Sequence, residues 1–309
     1  MQLNPPLTLQ QTAELLKAEF HGSPDFQITG ISEIHLVKKG DITFVDHPKY
    51  FEKALKSAAS TVIINKKVAC PNGKALIYSE DPFRDFVFLI KKFRPFEPAS
   101  DMISKSAKIG SGTVIQPGVF VGNNVTIGEN CLLHPNVTIY DHTVIGSNVV
   151  IHAGSVIGSD GLYFKRRPTH YDKLESGGRV VIEDNVEIGS CCTIDRGSTG
   201  DTTIGWGSKL DNHIHIGHDT VIGKNCLFAA QVGIAGCVVI EDDVILWGQV
   251  GVQKDLTIKK GAVVLGQSGV SKTLKGGITY FGSPAQASRE AMKQLALFRK
   301  LPQVFEKLN

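Results

Sequence analysis

The chain has 309 residues, long enough for a substantial core and two domains. Its net charge of +3 is too mild to argue for nucleic acid, and no run approaches the roughly eighteen apolar residues of a membrane span. The N-terminus, Met1-Gln2-Leu3-Asn4-Pro5, lacks a charged-then-apolar signal pattern, and the six cysteines form no CxxC pair, so the cytoplasm is the expected compartment.

Residues 1–100 read as a small α/β domain. Thr8 opens a helix, with Gln11 completing a capping box, and Leu9, Ala13, Leu16 and Phe20 supply a buried face. Strand-like runs follow at Phe26–Ile31, Ile42–Val45, Thr61–Ile64 and Ala75–Tyr78. Tyr50–Ser57 and Phe83–Lys92 read as helices. Pro95 and Pro98 mark a linker.

Beyond the linker the period changes. Apolar residues return at every sixth position from Ile109 through Ile115, Val121 and Ile127 to Ile157. The beat resumes at Ile182, Ile188 and Ile194, slips by four residues, and runs from Ile204 to Val270. Neither a helix nor a strand has this period; a fixed six-residue repeat marks a parallel β-helix. A small or β-branched residue such as Thr113, Val125 or Cys131 sits two positions before each beat, so each unit is one short strand. Gly112, Gly118, Asn124, Asn130, Asn136 and Asn148 supply the left-handed backbone that tight corners need. Twenty-four such beats, three to a coil, give eight coils, a prism about 38 Å long at roughly 4.8 Å per coil. The expected β-helix domain is 101–275.

Two features interrupt it. Asp160–Gly178 is an insertion carrying Lys165-Arg166-Arg167, a basic triplet suited to a phosphate-bearing substrate, an acidic partner or bulk water. Gly197–Thr203 is a shorter loop. Residues 276–309 form a C-terminal extension that turns helical after Pro284, with Met292, Leu295, Phe298 and Leu301 on one side and Pro302 kinking or ending it. That helix could cap the open prism, and its basic excess could instead receive an acidic protein.

The densest polar stretch is Asp211-Asn212-His213-Ile214-His215-Ile216-Gly217-His218-Asp219. His218 lies just past a beat, where side chains project outward near a corner. Stacking arithmetic puts Gly236 one coil above it, Asp255 two coils above on the same face, and Arg196 one coil below. A neutral imidazole suits a general base near pH 7. A glycine beside it lets a substrate carbonyl approach a backbone N–H, the arrangement that stabilises an oxyanion. The pair suggests acyl transfer. A zinc site built from His213, His215 and His218 is disfavoured, because the inward beats Ile214 and Ile216 turn those histidines in different directions; no metal is expected.

At these residues the chain resembles the UDP-3-O-acylglucosamine N-acyltransferases of lipid A biosynthesis. The motifs are Ile42-Thr43-Phe44-Val45 with Pro48-Lys49-Tyr50, Thr193-Ile194-Asp195-Arg196-Gly197, Asp211-Asn212 leading to Ile216-Gly217-His218-Asp219, and Gly282-Ser283-Pro284. The resemblance implies a mainly β fold: a left-handed parallel β-helix of hexapeptide repeats with a small N-terminal α/β domain and a C-terminal helix. It implies a homotrimer with sites at the clefts between subunits. The implied reaction moves a 3-hydroxyacyl chain from acyl carrier protein to the 2-amino group of the UDP-sugar, with no bound cofactor.

By the same resemblance His218 is the general base and Gly236 the oxyanion donor. Phe44 and Tyr50 hold the uracil, with Lys49 beside them, while Asp211 and Arg196 belong to the substrate-binding set. Two positions depart from the pattern: Asp255 stands where a second active-site histidine is frequent, and His47 where an asparagine usually contacts the uridine. These departures leave room for a paralogue acting on another UDP-amino sugar. An acetyl-coenzyme A-dependent acetyltransferase and a non-catalytic scaffold are the remaining alternatives.

Overall fold

A computed structural model of the chain describes residues 1–306. It divides into two units. One is Met1–Pro98 together with Tyr163–Gly178 and Ser198–Gly200; the other is Ala99–Leu162, Arg179–Gly197 and the chain from Asp201 onward. Most of the insertion expected within the prism therefore packs with the N-terminal residues.

The first unit holds a six-stranded sheet. Its strands are β1 (Gln2–Thr8), β2 (Glu19–His21), β3 (Gln27–Ile31), β4 (Asp41–Val45), β5 (Thr61–Ile64) and β6 (Ala75–Tyr78), in the order β1-β3-β4-β5-β6-β2. The four runs of expected strand are present. β1 and β2 were missed because Pro5 and Pro6 interrupt the first and the second is only three residues long. Three helices accompany the sheet: α1 (Leu9–Leu16), α2 (Phe51–Lys56) and α3 (Pro82–Phe93). The capping box is present at Thr8: Gln11 N donates to Thr8 Oγ1 at 3.1 Å, and Thr8 N donates to Gln11 Oε1 at 2.9 Å. Asp81 caps α3 through the Arg84 amide.

The insertion forms a hairpin, Phe164–Arg166 against Tyr171–Lys173. Lys165 pairs with Asp46, and Arg167 reaches Asp81 and Asp172, each at 2.6 Å. Both cations lie over the Phe83 ring, at 5.3 and 5.9 Å. Two members of the basic triplet are therefore already matched by carboxylates, and their first role is to pin the hairpin within its own unit.

The second unit is the β-helix. Three sheets, mostly of two-residue parallel strands, form its faces. Each strand pairs with the one a coil later, as Thr126 pairs with Val144 and Leu227 with Ile245. The register survives both interruptions: Ile157 pairs with Ile194 across the insertion, and Ile182 with Ile204 across the four-residue slip. The beats line one continuous buried core from Val121 to Val270. Corners take left-handed backbone at Asn124, Asn130, Asn136 and Asn148, as expected. Beyond Asn185 the same conformation also falls on residues other than Asn and Gly, among them Cys191, His213, Asp219, Gln231, Cys237, Gln249 and Asp255. The stacking of coils holds these residues in a region they rarely choose alone.

Helix α4 (Ser288–Glu306) continues through Pro302 rather than ending there. Ala291 is its one buried residue among those described; Met292, Leu295, Phe298 and Leu301 are exposed, so in a single chain the helix does not hide the end of the prism.

Phe228 is among the largest fully buried side chains. Phe228→Ala should cost about 3–5 kcal/mol, whereas Phe228→Leu should cost less than about 2 kcal/mol. Denaturant midpoints would check this, and equal midpoints would contradict the packing described.

Candidate active site

Strand His215–Ile216 ends on a corner formed by Gly217, His218 and Asp219. Asp219 adopts φ 56°, and its backbone N–H donates to Thr202 Oγ1 at 2.9 Å. This turns its carboxylate back on its neighbour: Oδ2 lies 2.9 Å from His218 Nδ1. The Asp219 side chain is 1% exposed and the imidazole 16%. A buried carboxylate on Nδ1 holds the ring in one orientation and leaves Nε2 as the accepting nitrogen. Asp219 was read from the sequence only as part of a motif. Its left-handed backbone, the reason it can reach the ring, is set by coil stacking.

Two glycines bracket the imidazole. A Cβ on Gly236 would stand 2.7 Å from Nε2, and a Cβ on Gly161 would stand 2.7 Å from the ring's Cδ2. No side chain fits at either place. Gly161 was not anticipated, because nothing in the sequence places residue 161 against residue 218.

At the same corner position in several other coils, a side chain from the coil above accepts from the backbone N–H. Asp141 caps Asn123 at 2.6 Å, Asp184 caps Ser147 at 2.7 Å, Asn212 caps Ser190 at 2.7 Å, and Asp242 caps Lys224 at 2.9 Å. The residue above Gly236 in this register is Lys254, since Ile234 pairs with Val252. Lysine has no acceptor. Among the described residues the Gly236 N–H has no hydrogen-bond partner. A free donor beside an accepting nitrogen is what a tetrahedral acyl intermediate requires.

The coil below supplies Asp195. It is buried, accepts from Ser159 Oγ at 2.9 Å, and lies 3.7 Å from His215 Nε2. Burial pushes its carboxyl above the usual aspartate range; the Ser159 hydrogen bond and the fields of His215 and His218 pull the other way.

The stacked positions need correction in two respects. Asp255 does not lie above His218. It shares the left-handed corner column of Asp219 and Cys237, is 62% exposed, and pairs with Lys254 at 3.3 Å. The arithmetic was off by one residue, because Lys254 occupies the His218 column. Arg196 does lie directly below, but it turns away: Nε donates to Gly158 O at 2.7 Å, and the guanidinium sits 5.7 Å from the Tyr140 ring and near Asp160.

Asp211 is on another edge of the prism, since it follows the second-face beat Leu210 while His218 follows the third-face beat Ile216. One chain does not bring Asp211 and His218 together. His213 occupies a corner at φ 59°, and the ring nitrogens of His213, His215 and His218 do not gather within 4.8 Å.

In the first unit, Phe44 is half-buried and packs on Phe83 and Phe86, with centroids at 5.8 and 4.7 Å. The exposed group is different. Tyr50 carries Lys49 Nζ 5.5 Å from its ring and His47 at 5.9 Å, and His47 Nδ1 accepts from the Lys49 amide at 3.2 Å. Among the described residues the ring contacts of Phe44 and of Tyr50 are separate.

A six-residue coil repeat with an outward histidine at a corner defines a hexapeptide-repeat transferase, and residues 124–159 match the bacterial transferase hexapeptide family. Residues 25–92 match the family described as UDP-3-O-(3-hydroxymyristoyl) glucosamine N-acyltransferase, LpxD. The chain is 47% identical over 319 aligned residues to a UDP-3-O-acylglucosamine N-acyltransferase of Syntrophotalea carbinolica, covering 96% of this chain and 93% of that one. It is 44% identical to a protein of that name from Nitratidesulfovibrio vulgaris, covering 97% and 94%. Among solved structures, a UDP-N-acetylglucosamine acyltransferase of Francisella novicida superposes with a TM-score of 0.56 at 30% identity, covering 66% of this chain and 76% of that one. The chain belongs to the UDP-3-O-acylglucosamine N-acyltransferase family.

Gly161→Ala should displace the imidazole and lower acyltransferase turnover at least about tenfold, since misplacement by an ångström is costly. Unchanged turnover, with the His218 NMR signals unmoved, would remove Gly161 from the site. Asp195 gives a stability prediction. Its raised pKa means that the folded state holds the proton more tightly than the unfolded state. The penalty for ionised Asp195 is therefore absent below the unfolded pKa and complete above the folded one. Asp195→Asn should raise the melting temperature by about 2 °C at pH 7.5 and leave it unchanged near pH 3.5. A gain that is equal at both pH values would contradict the shift.

Proposed function

We propose that this chain transfers a 3-hydroxyacyl group from acyl carrier protein to the 2-amino group of UDP-3-O-acylglucosamine, in lipid A biosynthesis. The observation that carries the reading is the pairing of His218 Nε2 with the uncapped Gly236 N–H. As the sugar nitrogen attacks the thioester carbonyl, His218 takes a proton from it, and Asp219 stabilises the imidazolium. The carbonyl oxygen gains negative charge opposite the Gly236 N–H. Collapse breaks the carbon–sulfur bond, and His218 returns the proton to the departing thiolate. No metal is needed for any of these steps.

The working form in this reading is a cytoplasmic homotrimer. Asp211 and the His218 corner lie on different prism edges, so a neighbouring subunit would bring an Asp211 to the cleft. The N-terminal unit would hold the uridine through Tyr50, Lys49 and His47, with Phe44 bracing the layer beneath. A second reading, transfer to another UDP-amino sugar, draws on His47 and Asp255, the two departures from the family pattern.

Mass spectrometry of purified protein with UDP-3-O-acylglucosamine and 3-hydroxyacyl carrier proteins tests the reaction. His218→Ala should lower turnover by about 10²–10⁴; a loss of only about tenfold would remove the base assignment. Tyr50→Ala should raise the Michaelis constant for the UDP-sugar about tenfold with little change in turnover, because stacking on the uracil is felt equally in ground and transition states. An unmoved constant would place the uracil elsewhere.

A further inference from the structure

We propose that His215, braced by Asp195, is a second proton acceptor of this site and strips the proton that an amino-sugar substrate carries when it arrives as an ammonium ion. The inference rests on the acyl-transfer reading above. Its origin is a proton count. A hydroxyl nucleophile has one proton to lose, but an ammonium group must lose one before it has a lone pair and a second as it attacks. His218 Nε2 can hold only one of them.

His215 occupies the outward strand position immediately before the His218 corner. Its Nδ1 lies 2.8 Å from Thr193 Oγ1, a hydroxyl that can accept the ring N–H and so make Nε2 the basic nitrogen. That nitrogen faces Asp195 Oδ2 at 3.7 Å, just beyond hydrogen-bond reach. A proton gained at that nitrogen would be stabilised by the neighbouring carboxylate. In the coil above, the residue in register is Gly233, and a Cβ there would meet nothing within 4 Å. The ring thus borders open space on the face of an amine-sized guest.

The charged and titratable groups around the pair are few. From the coil below come Asp195 itself and Arg196, the latter turned onto Gly158 O and Asp160. Ser159 donates to Asp195, and the Asp160 carboxylate adds to the negative field there. From the same coil come His218 and Asp219, already paired with each other. Gly233 above brings no charge. Asp195 sits in register between the columns of His215 and His218, so its carboxylate serves both imidazoles.

The step balances without a co-reactant. The ammonium N–H bond breaks toward His215 Nε2, leaving a neutral amine and an imidazolium facing Asp195. The amine nitrogen then forms the bond to the thioester carbon and passes its second proton to His218. His218 gives that proton to the leaving sulfur, and His215, half exposed, releases its own to water.

The pH dependence of kcat/KM separates this role from a structural one. Wild-type protein, His215→Gln, Asp195→Asn and His218→Ala would be assayed by product mass from pH 6 to 9.5, with melting temperatures as a folding control. His215→Gln should lose about tenfold at pH 6.5–7 and return to within about twofold of wild type at pH 9.5, where the amine arrives already neutral. Asp195→Asn should move the acidic limb in the same direction, and His218→Ala should stay low at every pH. A loss in His215→Gln that is uniform with pH, or no loss at all, would overturn the inference while leaving the acyl-transfer reading intact. A wild-type protein that forms no product at any pH would sink the acyl-transfer reading itself, and this inference with it.

Discussion

Each strand of the prism pairs with the strand one coil away, so the neighbours of every outward side chain are set by a residue count rather than by local preference. The core depends on this register, because only then do the beats from Val121 to Val270 close one continuous column. The corners depend on it too. Residues such as Asp219 and Gln231 adopt left-handed backbone because the coils on either side leave no other path. A stacked coil transmits its shape to the next, which is why the insertion and the four-residue slip are expelled as loops while Ile157 still meets Ile194 and Ile182 still meets Ile204.

The candidate site is built on that register. At several corners the amide is capped by an aspartate or asparagine from the coil above. At Gly236 the capping position is Lys254, and the amide is left open beside His218. Many outward strand positions carry valine, leucine or threonine. Above His215 they are Gly233 and Gly251, where an added Cβ would meet nothing within 4 Å. In the proposed mechanism, omitted side chains matter as much as the histidines. One carboxylate, Asp219, orients the imidazole; another, Asp195, is held in a buried position that costs stability, which is common where a charge is kept for use.

The first unit shows a different division of labour. Phe44 faces inward onto Phe83 and Phe86, and Lys165 and Arg167 are spent on Asp46, Asp81 and Asp172. What remains outward is the cluster of His47, Lys49 and Tyr50. A basic triplet in a loop reads equally well as a ligand site or as an internal clamp until the acidic partners are located, and two of those partners, Asp46 and Asp81, lie far away in sequence.

The six-residue beat by itself determined the prism, its three faces and the inward residues, because a period of this kind is incompatible with any helix or flat sheet. It also carried the stacking of Gly236 over His218 and of Arg196 beneath it, which needed only counting across the slip. Three things were decided by the tertiary structure alone. Asp219 turns onto the His218 ring, Gly161 closes in from a loop far away in sequence, and the Gly236 amide stays uncapped. The physical reason is common to all three. Repeats encode which residue lies above which, but side-chain direction at a corner depends on a backbone angle that the coils above and below impose, and a loop's landing place depends on contacts that no period records.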